Sequence, residues 1–150
     1  MLKRRILSVL LVLAMLVPFA GAAQTAQDNM RGVWVASVAN IDYPSSAGMT
    51  AQALAAEADT MLDNIAAMGL NTVFLQVRPS ADALYRSALF PQSRYVSGTC
   101  GASPDGDFDV LAYWVEGAHE RGLQLHAWIN PYRVTRSGIA EYDQLSADNP

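Results

Sequence analysis

Two short stretches carry polar and ring side chains on segments that apolar alternation otherwise marks as strands. In "LNTVFLQVRP" (70–79), Gln76 and Arg78 share a face with Phe74, and in "LQLHAWINPYR" (123–133), His126, Trp128 and Asn130 share another, because successive strand side chains alternate. Trp34 and Asn40 join them from "RGVWVASVAN" (31–40). An indole face packs on the C–H face of a pyranose, while amide and guanidinium groups hydrogen-bond hydroxyls. A few polar groups on an aromatic wall is the usual construction of a small-ligand pocket. The bland reading of the same residues is that Trp34 and Trp128 fill a barrel interior and that His126 is a satisfied core histidine. What favours a site is that the polar side chains gather at the same end of two strands. Asp82 and Tyr85, in "PSADALYRS", open the following connection; Asp82 could bind a sugar hydroxyl, pair with Arg78 or cap a short helix. Asp42, after the first strand, is a weaker case of the same kind.

The elements that must position these residues follow from period and punctuation. "RGVWVASVAN" (31–40) reads as a first strand, and 41–50, with Pro44 and Gly48, as a loop. From Thr50 as N-cap, Leu54, Ala58, Met61, Leu62, Ile65 and Met68 fall on one helix face, and Gly69 stands where a C-terminal cap belongs. Residues 70–79 form the second strand, ended by Pro79, which biases Arg78 to extended geometry. A long connection runs from Ser80 to about Gly106, of a length usually functional or disordered. A second helix follows, with Asp107 or Asp109 as N-cap, Leu111, Trp114, Val115 and Ala118 as its apolar face and Gly122 as its stop. Residues 123–133 are the third strand, whose aliphatic face of Leu125, Ala127 and Ile129 is expected to pack under helices. Alternating strands and helices argue for a parallel sheet, with ligands at the carboxyl ends of the strands.

At the N-terminus, Lys3, Arg4 and Arg5 precede the apolar run "ILSVLLVLAMLVPFA" and the small residues "AGAA", the layout of a secretory signal peptide over 1–23. The run is short for a membrane span, so no stable span is expected after cleavage. Residues 24–30 read as a linker and 31–150 as the domain. Three of the ten basic residues lie in the signal; the remainder holds seven arginines and no lysine against fourteen Asp and Glu. So acidic a chain lacks the basic footprint of a nucleic-acid binder. The lone Cys100 permits no internal disulfide and carries no nucleophile or metal signature. His119, in the last turn of the second helix, suits the helix dipole. The two histidines show no close ligand spacing, and no phosphate loop, nucleophile elbow or dinucleotide fingerprint is present, so neither metal nor cofactor is expected.

Three blocks, "RGVWVASVANIDYPS", "GLNTVFLQVRPSADALYRS" and "FDVLAYWVEGAHERGLQLHAWINPYR", lie in this order over most of residues 31–133. With them the chain closely resembles the bacterial glycosyl hydrolase-like 10 family, exported proteins with a barrel domain related to glycoside hydrolases. The resemblance implies an α/β fold, here the first three β-strands and two helices of a (β/α)8 TIM-type barrel, incomplete. It also implies action on glycans, peptidoglycan strands among them. Carried over, Trp34, Gln76, Arg78, Asp82, Tyr85, His126, Trp128, Asn130, Tyr132 and Arg133 would line the sugar cleft. Glycoside hydrolysis ordinarily needs two flanking carboxyl groups, and in related barrels these come from the fourth strand onward. The sequence is therefore expected to represent the N-terminal part of a longer hydrolase. A non-catalytic glycan-binding module and a metal-dependent hydrolase on the same scaffold are the alternatives. Three strands alone would also leave Phe74 and Trp128 without an opposite wall and a strand edge open to association.

Overall fold

The structure is a computed structural model and describes residues 29–104, 106 and 108–136. Residues 1–28, which hold the expected signal peptide and most of the expected linker, together with Asp105, Asp107 and the stretch from 137 onward, lie outside the described residues. Three strands, β1 (Gly32–Val35), β2 (Thr72–Arg78) and β3 (Gln124–Ile129), form one parallel sheet in the order β1-β2-β3. The helices are α1 (Ala51–Ala67), the single-turn α2 (Arg94–Ser97) and α3 (Val110–Glu120). The mixed α/β architecture with parallel strands is as the sequence indicates.

Helix α1 starts where expected. Thr50 is extended and its hydroxyl accepts from Ala53 N at 3.2 Å, satisfying one of the first-turn donors. Leu54, Ala58, Leu62 and Ile65 are buried at i, i+4, i+8 and i+11. Met68 departs from the expected apolar stripe: it is the C-cap, 65% exposed, because Gly69 at φ 73° turns the chain away one residue later. Helix α3 is capped by Asp109, whose Oδ1 accepts from Ala112 N at 2.9 Å while Oδ2 accepts from Arg86 N at 3.3 Å. The two helices pack together over one sheet face, where Val73, Leu75 and Val77 of β2 meet Leu54, Leu62, Trp114 and Ala118. Gly117 lets them approach, since a Cβ there would lie 3.0 Å from Leu62 Cδ1. Tyr43 closes the same core edge-on to Trp114, with its hydroxyl donating to Leu54 O at 3.1 Å.

Two strands differ from the sequence reading. β1 stops at Val35 instead of running to residue 40, because side chains replace its ladder partners. Ala36 N donates to Asp42 Oδ2 at 2.8 Å, and Ser37 N and Val38 N donate to Gln76 Oε1 at 3.0 and 2.9 Å. A 3-10 turn at Val38–Asn40 follows, with Ala39 and Asn40 both at positive φ. On β3, Leu125 does pack against the core, but Ala127 is exposed and Ile129 is 46% exposed. The expectation that all three lie under helices is corrected: β3 is an edge strand, and among the described residues no helix follows it to cover them.

The long connection after β2 is neither open nor structureless. Ala81–Leu84 is buried throughout, Ala83 bridges to Gln92, and Ser93 caps α2 by accepting from Tyr95 N at 3.3 Å. Asn40 ties it to the first loop through Nδ2, which donates to Pro44 O and Tyr95 O, both at 2.8 Å. No helix among the described residues is long and apolar enough to cross a membrane.

Candidate functional site

The sheet face opposite the helices carries the aromatic side chains. The ladder register places Trp34, Phe74 and His126 in one row across β1, β2 and β3, with Gln76 beside Trp128 in the next. Trp34 stacks on Phe74 with ring centroids 4.6 Å apart and planes 15° from parallel. Trp128 meets Trp34 edge-on at 5.2 Å, and His126 tilts against Phe74 at 5.1 Å. The four rings make a platform, yet Trp34 remains 59% exposed and His126 is exposed as well. Such an apolar surface, left open on a small domain, marks a place where something else binds or packs.

The carboxyl-terminal border of the platform is polar. Trp128 Nε1 donates to Asn130 Oδ1 at 3.0 Å, and Asn130 Nδ2 donates to Pro79 O at 3.0 Å, so the indole is oriented by a short relay anchored on backbone. Between Gln76 and Arg78 the pairing with β3 slips by one residue, a bulge of the kind that re-aims a side chain at the end of a strand. Arg78 then lays its guanidinium over the Phe90 ring, 3.8 Å from the centroid. Gln76 is fully buried: its Oε1 takes the two backbone donors of the first loop, and its own carbonyl accepts from Ser37 Oγ at 2.8 Å.

The remaining candidates are placed differently. Asp82 is 4% exposed and turned into its own loop, where Oδ1 accepts from Ser80 N at 3.0 Å. Burial raises its pKa above the ordinary aspartate value, against hydrogen bonds from the Ser93 side chain and Ser80 N and the charge of Arg94. Tyr85 is half-buried against the core, while Tyr132, 96% exposed, and Arg133, exposed, lie beyond the end of β3. Asp42 serves as the acceptor for Ala36 N, and Asn40 as the strut between loops. The structure thus brings together Trp34, His126, Trp128 and Asn130, with Gln76 and Arg78 at the border. It does not bring Asp82 or Tyr85 onto the platform.

Sequence reasoning put Phe74 on this face without counting it in the site, and missed Phe90. Phe74, the centre of the platform, is legible from register with Trp34 and His126; Phe90, under Arg78, comes from a loop with no local signal. Two shallow concavities, lined by Asp59, Tyr113, Glu116, Gly117 and Glu120 and by Arg94, Gly98, Thr99 and Cys100, include no platform residue. Among the described residues no three His, Cys, Asp or Glu side chains gather as a metal site.

The chain is 42% identical over 134 residues to Glycosyl hydrolase YngK of Bacillus subtilis, covering 89% of this chain and 26% of that protein. It is 36% identical over 134 residues to Glycosyl hydrolase DigH of Escherichia coli K12, covering 81% of this chain and 30% of that protein. The chain therefore spans less than a third of the length of the curated relatives it matches. The family model described as Glycosyl hydrolase-like 10 matches residues 29–150, and on that match and these identities the chain belongs to the Glycosyl hydrolase-like 10 family.

Proposed function

We propose that the chain supplies the first three strands of a (β/α)8 barrel in an exported glycoside hydrolase that acts on glycan strands, those of peptidoglycan in particular. The observation that carries this reading is the open platform of Trp34, Phe74, His126 and Trp128, bordered by Asn130 and Arg78 at the carboxyl ends of parallel strands. In a closed barrel this face is the interior and its carboxyl-terminal rim is the substrate cleft. Trp34 and Trp128 then offer faces to sugar rings, Arg78, His126 and Asn130 offer hydrogen-bonding groups to hydroxyl and amide groups, Gln76 holds the first loop in place beneath them, and Tyr132 and Arg133 extend the wall along the rim. Export is supported by the basic, apolar and small-residue layout of 1–23.

Hydrolysis needs a proton donor and a second carboxyl group roughly 5–5.5 Å away for retention or about 6.5–9.5 Å for inversion. Among the described residues, Asp42 and Asp82 are both engaged by backbone donors at structural turns. In this reading the acids come from later strands, and the present segment binds and orients. That division of labour also keeps a second reading, a glycan-binding module without hydrolysis, in view.

The test is reducing-end release from purified glycan strands by the full-length protein, read alongside its retention on the same strands. Release that survives chelation of metals is the expected result. Retention without release moves the function to the binding module, and neither release nor retention discards the glycan reading.

A further inference from the structure

One amide at the border of the platform is engaged at both ends. Asn130 Oδ1 accepts from Trp128 Nε1 at 3.0 Å and Asn130 Nδ2 donates to Pro79 O at 3.0 Å, while the backbone N of Asn130 donates to Arg78 O, also at 3.0 Å. The amide has a single orientation here. An indole nitrogen only donates and a carbonyl only accepts, so turning the amide round would set donor against donor and acceptor against acceptor. Few side chains could take its place: Asp lacks the donor, Leu lacks both groups, and Gln is a methylene longer. Trp128 and Asn130 stand two positions apart on the same side of the chain, and Pro131 biases Asn130 to the extended geometry that continues this alternation to the end of the strand.

We propose that Asn130 is a positioning residue for sugar binding, setting the affinity of the platform through the indole of Trp128. The inference rests on the glycan reading above. Trp128 is half-buried and its neighbour Trp34 is mostly exposed, so packing alone leaves the indole room to turn. The bond at Nε1 holds the ring edge-on to Trp34, with centroids 5.2 Å apart and planes at 83°. It also decides which part of the indole is left for a ligand. With its N–H committed to Asn130, Trp128 meets a sugar through the ring alone, by contact with C–H groups, and the ring is already in place when the sugar arrives. A ring that had to be immobilised on binding would lose affinity to the ordering step. Asn130 itself keeps one lone pair of Oδ1 and one hydrogen of Nδ2, so the larger part of its bonding capacity serves Trp128 and the end of β2.

The experiment is a double-mutant cycle in the full-length protein, read as retention on purified glycan strands. Trp128→Phe keeps a ring and removes the N–H, cutting the same bond from its other end. Asn130→Ala is expected to weaken binding about tenfold in the wild-type background and less than about twofold in the Trp128→Phe background. Asn130→Asp keeps the side-chain volume and an acceptor for Nε1 but loses the donor to Pro79 O; it is expected to fall between the wild type and Asn130→Ala, and it carries the cycle if Asn130→Ala does not fold. In parallel, protein labelled with 5-fluorotryptophan gives a fluorine NMR line for Trp128, identified by its loss in Trp128→Phe. That line is expected to be single and sharp in the wild type and to broaden or split in the Asn130 variants, the mark of a ring with more than one orientation. A binding loss as large in the Trp128→Phe background overturns the proposal and makes Asn130 a direct contact, and wild-type binding by the Asn130 variants overturns it as well. If the wild type is not retained on glycan strands, the glycan reading fails and the fluorine line alone decides whether Asn130 holds Trp128: a broadened or split line upholds this, and a line that stays single and sharp overturns it.

Discussion

The two faces of the sheet are made by the same three strands, residue by alternate residue, and they have opposite fates. Val73, Leu75 and Val77 of β2 are at most 1% exposed beneath α1 and α3, while on the other face Trp34 is 59% exposed and Phe74 and Trp128 are half-buried. Side-chain chemistry tracks the difference. The covered face is aliphatic and its helices contribute Leu, Ala and Trp in a close-packed layer; the open face is built of rings, amides and a guanidinium. Aliphatic groups gain only from removal from water, whereas rings and amides also make directional contacts with a partner. One face is committed to folding and the other stays open.

Removing a ring from each face puts the contrast to its hardest test. Trp114, fully buried and edge-on to Tyr43, fills the covered layer, and Trp114→Ala should lower the unfolding free energy by about 3–5 kcal/mol in chemical denaturation. Trp34→Ala should cost less than about 1 kcal/mol of stability and weaken binding to glycan strands by about tenfold, the loss of an exposed aromatic anchor. Equal stability losses at the two tryptophans would erase the distinction between the faces.

A finer probe is Gly32, where a Cβ would fall 2.6 Å from Phe74 Cε2. The Phe74 ring must then slide under Trp34. Gly32→Ala is expected to change the near-ultraviolet circular dichroism of the stacked pair while moving stability by about 1 kcal/mol or less, since the open face has room to relax. An unaltered aromatic spectrum would mean that the stack does not depend on this close approach.

The smallest effect separates Asp82 from both faces. Its folded pKa lies above the ordinary aspartate value, chiefly through burial, so the native state holds the proton more tightly than the unfolded chain. Stability from this group is therefore present at low pH and lost as pH rises from the ordinary aspartate range through the raised value. Asp82→Asn should flatten that part of the stability–pH curve. A curve that keeps its slope in the variant would assign the pH dependence to another carboxylate.

Much of this layout is legible in the sequence, for local reasons. Thr50, Gly69, Asp109 and Gly122 announce helix ends through capping chemistry within a few residues of themselves, and β2 is read from apolar alternation between Gly69 and Pro79. The early end of β1 is not legible, because it depends on Gln76, 39 residues away, accepting the donors that a longer strand would have used. The exposure of Ala127 and Ile129 also escapes the sequence, since burial of an aliphatic face depends on whether another element arrives to cover it. Within the site, the platform follows from side-chain alternation once register is known. The partnership of Arg78 with Phe90 does not, because a loop residue reaches a strand residue by a path that no period encodes. Asp82 illustrates the converse: its place beside Arg78 in sequence suggested a shared site, and the turn at Ser80 directs it elsewhere.

The free edge of β3 has a kinetic consequence. It pairs with β2 on one side, and among the described residues no strand occupies the other. Its backbone groups accept whichever strand arrives first, and arrival is a matter of concentration. A strand tethered by a short connection is present at an effective concentration on the order of millimolar, far above that of a second copy at ordinary expression levels. Dilution therefore favours pairing with a tethered strand over pairing between copies, and crowding during synthesis favours the reverse, so the same edge is a template in one setting and an aggregation seed in the other.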